Sequence, residues 1–275
     1  MQTKARKSIL FGWRANLRIL STAFANSLAY RTDLFFYRVF DLVEPLALLL
    51  MWSALFATNE QLVGYTKAEM LTYVLASRLA DTVAISWVHE DVATSIREGR
   101  ITQFLLKPIS HVRYVFWDAL GHSVQAKTMS LLVTVGLMAL FHAHMIIGSP
   151  ARAAVALLLA LGAFMINVLF SVSYGYAAFW LGRINGFVQS FYIIRWMFNG
   201  LAFPLDILGQ GFRTVSLALP FAYSAFVPAQ VYLGRMDMTQ AFHAALVEGV
   251  WILVLLALTR VLWHFGVRRY EGVGI

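Results

Sequence analysis

The chain lacks cysteine altogether and is poor in charged residues. With no cysteine among its 275 residues, disulfides and thiolate metal sites are excluded. Charged residues make up only 13% of the sequence, whereas ordinary soluble domains have about a quarter. Apolar residues make up 60%, in runs that leave no room for a separate soluble domain. The composition therefore indicates one integral membrane domain over residues 1–275.

Long apolar runs provide the candidate spans, because about 20 mostly apolar helical residues cross the hydrocarbon core. We predict an all-α polytopic fold with six transmembrane helices at residues 34–57, 68–89, 121–143, 151–181, 186–203 and 241–267. The preceding arm, residues 1–33, is basic, with apolar residues at three- and four-residue steps. It is predicted to be an amphipathic helix at the membrane interface. A loosely packed cytosolic helix is the alternative.

Six prolines are present, and three of them interrupt the apolar stretch 204–234. One straight helix cannot contain Pro204, Pro220 and Pro228 together with Gly209 and Gly211. Lipid does not tolerate backbone groups without hydrogen bonds. The pattern therefore predicts a re-entrant hairpin, buried against protein, before the sixth span.

Lysine and arginine are concentrated on one side of the predicted spans. The arm 1–33, the segment 91–113 and the C-terminal Arg268 and Arg269 carry most of them. The positive-inside rule then predicts that both termini are cytoplasmic. This topology and anionic lipid account for the net charge of +8, so no nucleic-acid partner is implied.

Between the second and third spans lies IREGRITQFLLKP, residues 96–108, a charged segment flanked by apolar runs. Apolar residues recur at helical spacing on both sides of Gly99, and Pro108 ends the segment. The pattern predicts a short helix–turn–helix with an apolar ridge bordered by charge. Such a ridge fits a groove in a partner protein. An amphipathic loop on lipid has the same pattern, and the residues alone leave both open.

With this segment the chain resembles the membrane subunit of an ABC exporter of the type-2 (ABC-2) permease superfamily. The resemblance rests on IREGRITQFLLKPIS (96–110), LAFPLDIL (201–208) and LPFAYSAFVPAQVYLG (219–234). It covers nearly the whole chain, from the amphipathic first helix to the proline-broken hairpin. Relatives often have proline where Gly209 stands, so the turn of the hairpin departs from their pattern.

The resemblance implies that residues 93–108 are a coupling helix that docks in a cleft of a separate ATPase subunit. Its apolar members would supply contact, its charged members the register, and its last two residues the connection to the third span. The implied residues are Ile96, Arg97, Glu98, Gly99, Arg100, Ile101, Phe104, Leu105, Lys107 and Pro108. Two ATPase copies, binding ATP and magnesium, and a second permease, identical or a sister chain, complete the implied assembly in a bacterial cytoplasmic (inner) membrane.

The chain itself has no nucleotide-binding motif, so we expect a non-catalytic permease. GHSVQAKT, residues 121–128, approaches a P-loop but has Ala126 where the second glycine belongs, and no strand precedes it. No cofactor is therefore expected in this chain, and no set of residues suggests a membrane enzyme.

Ionisable residues inside predicted spans are costly, so they are candidates either for ion pairs that join helices or for a gate along the pathway. The candidates, with one aromatic residue of the fifth span, are Arg38, Asp41, Glu44, Arg78, Asp81, Phe191, Arg195, Asp206 and Glu248. Arg195 is expected to pair with Asp206, Glu248 or an acid of the first span, to reach the interface, or to meet an anionic substrate. Glu248 is the favoured partner.

The function expected from these features is the substrate pathway of an ATP-driven exporter. A drug, an antibiotic, a lipid or another amphipathic molecule is the expected cargo. The alternative is an ion-driven secondary transporter without an ATPase, for which Asp41, Glu44, Asp81 and Glu248 would be the titrating acids.

Overall fold

The computed structural model describes residues 2–27, 31–106, 110–181 and 184–270, without side chains at 2–12, 27, 31–40, 105, 125 and 126. Nearly all of it is helical. The helices are α1 (Gln2–Ser27), α2 (Arg31–Leu55), α3 (Lys67–Ala84), α4 (His89–Arg97), α5 (Thr102–Leu106), α6 (His111–Leu140), α7 (Pro150–Tyr176), α8 (Asn185–Phe198), α9 (Gln210–Ala218), α10 (Phe226–Leu233) and α11 (Met238–Arg269). Strands β1 (Gln61–Leu62) and β2 (Tyr65–Thr66) form an antiparallel hairpin.

The all-α fold class is confirmed, and part of the span pattern is visible. Among the described residues, Pro150–Phe179 and Met238–Arg269 are long and apolar enough to cross a membrane. A third span follows if the two halves of α6, which meet at a 46° bend, count as one. The predicted spans at 34–57, 68–89 and 186–203 lie on α2, α3 and α8. The total of six stays a prediction.

Several helix ends differ from the predicted bounds, and α7 and α8 end at Tyr176 and Phe198, each five residues before the predicted end. Helix α3 stops at Ala84, because Ile85 turns to an extended conformation (φ −68°, ψ 144°). Helix α6 already begins at His111, well before the predicted start at residue 121. In the described part of the link between α3 and α6, residues 85–106 and 110, the helices are α4 and α5.

Helix α7 lies at the centre of the bundle, in contact with α3, α4, α10 and α11. Small residues let these neighbours approach closely. A Cβ at Gly162 would lie 2.5 Å from the Glu248 carboxylate on α11, and one at Gly175 would lie 2.5 Å from Val92 Cβ on α4. Helices α4 and α11 are therefore in close contact with the central helix at these two glycines.

The proline-broken stretch 204–234 forms two short helices: α10 is buried against protein as predicted, whereas α9 has only Ser216 buried and is otherwise mostly exposed. A 3₁₀ turn, Leu205–Leu208, precedes α9, and Gly209 has a φ of +94° that favours glycine. Side chains anchor this stretch to the β1–β2 hairpin: Tyr65 donates to Asp206 (2.9 Å), and Gln230 donates to Tyr65 (2.6 Å). Re-entry into a membrane remains a prediction.

Helix α1 is fastened along α6. The Trp13 and Trp117 rings meet edge to face at 5.9 Å, and Arg113 Nε donates to Asn16 Oδ1 at 3.0 Å. A Cβ at Gly121 would lie 2.5 Å from the Leu20 carbonyl oxygen, so the two helices are in close contact. Trp13 is still 54% exposed, which agrees with the predicted interfacial position.

Candidate coupling element and pathway residues

The segment between α3 and α6 folds as two short helices, α4 and α5, around a turn at Gly99. Gly99 has a φ of +76°, a left-handed conformation that costs other residues energy. Its Cα faces the C-terminal end of α11, where a Cβ would lie 3.3 Å from Tyr270 Oη. The hydroxyls of Thr102 and Tyr270 also lie 3.3 Å apart. The turn is therefore held against the end of α11.

Three apolar residues of the expected contact ridge face inward instead, whereas Leu106 at the end of α5 is 84% exposed. Ile96, Ile101 and Phe104 are 5%, 0% and 9% exposed, and they join one apolar cluster with residues of α6 and α7. Burial against long apolar helices removes these side chains from water, so the chain's own core takes the place of a partner. The side chain of Leu105, and all of Lys107 and Pro108, lie outside the described residues.

The charged residues of the element face outward. Arg97 Nη2 lies 2.6 Å from Glu90 Oε1, and Arg100 Nε lies 2.8 Å from Glu98 Oε2. Their side chains are between 35% and 57% exposed. Glu90, Arg97, Glu98 and Arg100 are called the charged outer face below. Three of them belong to the predicted coupling element and Glu90 lies just before it; a partner can reach them, as it can the exposed Leu106.

Arg78 joins α3 to α2 through two of the predicted pathway acids. Its guanidinium lies 3.2 Å from Asp41 Oδ1 and 2.8 Å from Glu44 Oε2. Ser130 on α6 donates to the other oxygen of Asp41 at 2.6 Å. Asp41 and Glu44 of α2 are therefore joined to Arg78 of α3 by ion pairs between helices. The Arg38 side chain lies outside the described residues.

Arg195 pairs with Asp81, which corrects the expected partners. Its guanidinium donates to the Asp81 carboxylate on α3, and the two side chains are 8% and 7% exposed. Asn167 Oδ1 on α7 accepts from Arg195 Nε at 3.3 Å. Arg195 thus reaches from α8 to one polar side chain on α3 and one on α7. Asn167 carries no charge, so charge spacing did not reveal it.

The residues expected to partner Arg195 lie elsewhere. Asp206 accepts from Tyr65, and Glu248 faces Gly162 from α11, 4% exposed. Glu248 Oε1 has no hydrogen-bond partner in the part of the chain that the structure describes. Phe191 packs on the rings of Tyr174 (4.6 Å) and Phe170 (5.0 Å), so it fills space between α7 and α8.

Sequence reasoning also missed Lys127 of α6. Its ammonium donates to the Val83 carbonyl at 2.5 Å and lies 4.0 Å from the centre of the Phe164 ring. A lysine inside the predicted third span was the available indication. Within residues 2–27, 31–106, 110–181 and 184–270, no group of three or more His, Asp or Glu is placed to hold a metal ion.

A family profile described as ABC-2 family transporter protein matches residues 42–274. The chain belongs to the ABC-2 transporter family. Members are non-catalytic membrane permeases of ABC transporters and generally work with an ABC ATPase. No curated protein and no solved structure matches the chain. The resemblance seen in the sequence is thereby confirmed, while the roles of single residues in this permease stay predictions.

We expect Gly175→Ala to displace α4 in this permease. The new methyl group would overlap Val92, and His89 O would lie 3.0 Å away, so α4 must move from α7. Overpacking of this kind costs about 1–3 kcal/mol. The unfolding midpoint of the purified permease should therefore fall. Adding Val92→Ala should restore part of the stability, whereas Gly136→Ala, where a Cβ meets no other atom within 4 Å, is the matched control. An unchanged midpoint for Gly175→Ala would contradict the close packing.

Proposed function

We propose that this ABC-2 permease forms the transmembrane pathway of an ATP-driven exporter and that its α4–α5 element contacts a separate ATPase. The observation that supports the proposal is the charged outer face on a firmly held turn. The buried Ile96, Ile101 and Phe104 fasten this element to α6 and α7, and Tyr270 supports it from α11. A partner that binds the outer face would therefore act on an element with little freedom of its own.

A displacement of α4 caused by a partner at the charged outer face can reach the pathway helices through a series of direct contacts. Val92 of α4 packs on Gly175 of α7, and α7 carries Asn167 further along the helix. Asn167 accepts from Arg195, which in turn holds Asp81 of α3. Packed helices respond by small shifts between discrete arrangements. In the proposed cycle, ATP and magnesium bind on the partner ATPase, and α7 passes the motion to α3 and α8.

The rest of the proposed assembly follows from the exposed apolar surfaces and the distribution of charge. Helices α2 and α8 expose large apolar side chains such as Leu50, Met51, Ile193 and Trp196. These faces suit a second permease, identical or a sister chain, and a pathway for an amphipathic cargo such as a drug, an antibiotic or a lipid. The lysine and arginine distribution places both termini and α4–α5 on the cytoplasmic side of a bacterial inner membrane. Two ATPase copies complete the exporter.

The first test is to solubilise the tagged permease gently from its native membranes and identify the proteins that co-purify. The proposal predicts an ATPase with Walker motifs, and ATP hydrolysis in the purified complex. A permease that purifies without any ATPase, and transports without ATP after reconstitution, would contradict it.

Glu248 is the observation that favours the ion-driven alternative, because a buried carboxyl is a candidate for proton binding when, as among the described residues here, its Oε1 has no hydrogen-bond partner. We expect Glu248→Gln, which has the same shape, to leave ATP-dependent transport close to that of the wild type. The measurement is cargo uptake into inverted vesicles with ATP or with an imposed pH gradient. Transport that follows the pH gradient and is lost in Glu248→Gln would support the ion-driven carrier.

A further inference from the structure

A cavity of about 630 Å³ lies between α5, α6, α7 and α11, apart from the residues proposed for the pathway. Its walls are mostly apolar, with Phe116, Met165, Leu169 and Leu256 among them. It extends along α7 from Tyr176 to Met165, which is about 16 Å at the rise of an α-helix. Both α7 and α11 are long and apolar enough to span a membrane, so the cavity runs along the expected direction of a lipid chain.

The mouth of this cavity is basic. Arg113 and Arg260 line it, together with His264, and all three are exposed. The described lining residues include neither aspartate nor glutamate. Arg113 is held by Asn16 of α1. Arg260 makes no hydrogen bond or ion pair within the described part of the chain, although it lies more than two turns inside the C-terminal end of α11. An arginine at this depth requires an anionic partner or water.

Aromatic side chains line the end of the cavity that lies next to α5. The His111 ring stacks on Trp263 with centroids 5.4 Å apart, and its Nδ1 lies 2.9 Å from Tyr176 Oη. Phe104 of α5 meets the same His111 ring at 4.7 Å and also lines the cavity. The base of α5 therefore shares side chains with the basic end of the cavity, where His111 lies two residues before Arg113 and Trp263 lies next to His264 in sequence.

We infer that this cavity binds one anionic phospholipid, with its phosphate at Arg113 and Arg260 and an acyl chain along α7. Charge complementarity identifies the headgroup, since a basic mouth without acids favours a negative lipid over a zwitterionic one. The apolar part of the cavity indicates that the ligand also carries an acyl chain, because free phosphate would leave that part of the cavity empty. The site goes beyond the proposed export function and does not depend on it. A bound lipid would brace Phe104, and so the α5 half of the element.

Native mass spectrometry of the delipidated permease tests the inference. The permease is titrated with phosphatidylglycerol and with phosphatidylcholine of the same acyl chains. We expect one phosphatidylglycerol to bind well before any phosphatidylcholine. Arg260→Gln should weaken this binding by roughly fivefold, the contribution of one arginine at a membrane surface. Leu256→Trp, which fills the cavity, should also reduce it. Arg268→Gln, the same change on an exposed arginine of α11 outside the lining, is the matched control and should bind as the wild type does.

Three results would overturn the site. Equal binding of the two lipids would remove the role of charge. An equal loss in Arg260→Gln and Arg268→Gln would indicate nonspecific binding to the basic end of α11. Inorganic phosphate that displaces the lipid at similar concentration would show that the apolar cavity contributes nothing.

Discussion

Exchange of the charges of Glu98 and Arg100 is expected to release the ATPase from the permease. The double variant Glu98→Arg/Arg100→Glu keeps an ion pair between the two positions but inverts the charges offered to a partner. The existing pair is exposed, with side chains 57% and 55% accessible, and such pairs contribute about 1 kcal/mol or less to stability. In an interface, unmatched charges cost about 2–5 kcal/mol, which corresponds to a loss of affinity of at least about 30-fold.

The measurement is the amount of ATPase that co-purifies with the permease, together with permease-stimulated ATP hydrolysis. The unfolding midpoint of the double variant should equal that of the wild type, which separates lost docking from lost folding. Arg269→Glu, on an exposed residue at the same end of the bundle but outside α4 and α5, is the control for a general change of charge. A double variant that retains the ATPase as well as the control does would show that the charged outer face is not the docking surface.

Removal of either member of the Asp81–Arg195 pair is expected to destabilise the permease strongly. Both side chains are nearly inaccessible, so Asp81→Ala leaves a buried guanidinium and Arg195→Ala leaves a buried carboxylate. Breaking a buried pair in this way costs about 3–5 kcal/mol. The combined Asp81→Ala/Arg195→Ala variant should lose much less than the sum of the two single changes, because no unpaired charge remains.

Unfolding in mixed detergent micelles measures these free energies. Arg78→Gln is the matched comparison on the same helix, since Arg78 and its acid partners are 16%, 22% and 48% exposed, and a smaller loss is expected than for the more deeply buried pair. Single and double variants that destabilise additively would contradict a coupled pair. Transport by the double variant then separates two roles: a stable double variant that no longer transports assigns the pair to the pathway as well as to the fold.

These two predictions differ in how far the sequence supported them. The segment 96–108, its turn at Gly99 and the family resemblance were readable from residue spacing and from short motifs. The orientation of its helices was not. Periodicity shows that apolar and charged residues occupy different faces, but it cannot tell whether the apolar face meets a partner or the chain's own α6 and α7. The structure buries Ile96, Ile101 and Phe104 and leaves the charged outer face and Leu106 exposed.

The Asp81–Arg195 pair shows the same limit over a longer distance. The cost of charges in an apolar chain pointed to both residues as candidates, yet they are 114 positions apart and their helices were not expected to bring them together. The spacing of charged residues did not indicate that Asn167 and Lys127 would also lie in this polar region. Pairing between helices depends on how α3, α7 and α8 are placed relative to one another, which the spacing of residues within one helix does not show.

By itself, the sequence determined that this is a helical membrane protein of the ABC-2 type, because composition, long apolar runs and the motifs at 96–110 and 201–234 are local properties. Only the tertiary structure decided which charges neutralise one another, which side of the coupling element is open, and that a cavity with a basic mouth lies beside it. Those features arise where helices distant in the sequence meet, and the energy of a buried charge or an apolar face depends on that neighbour.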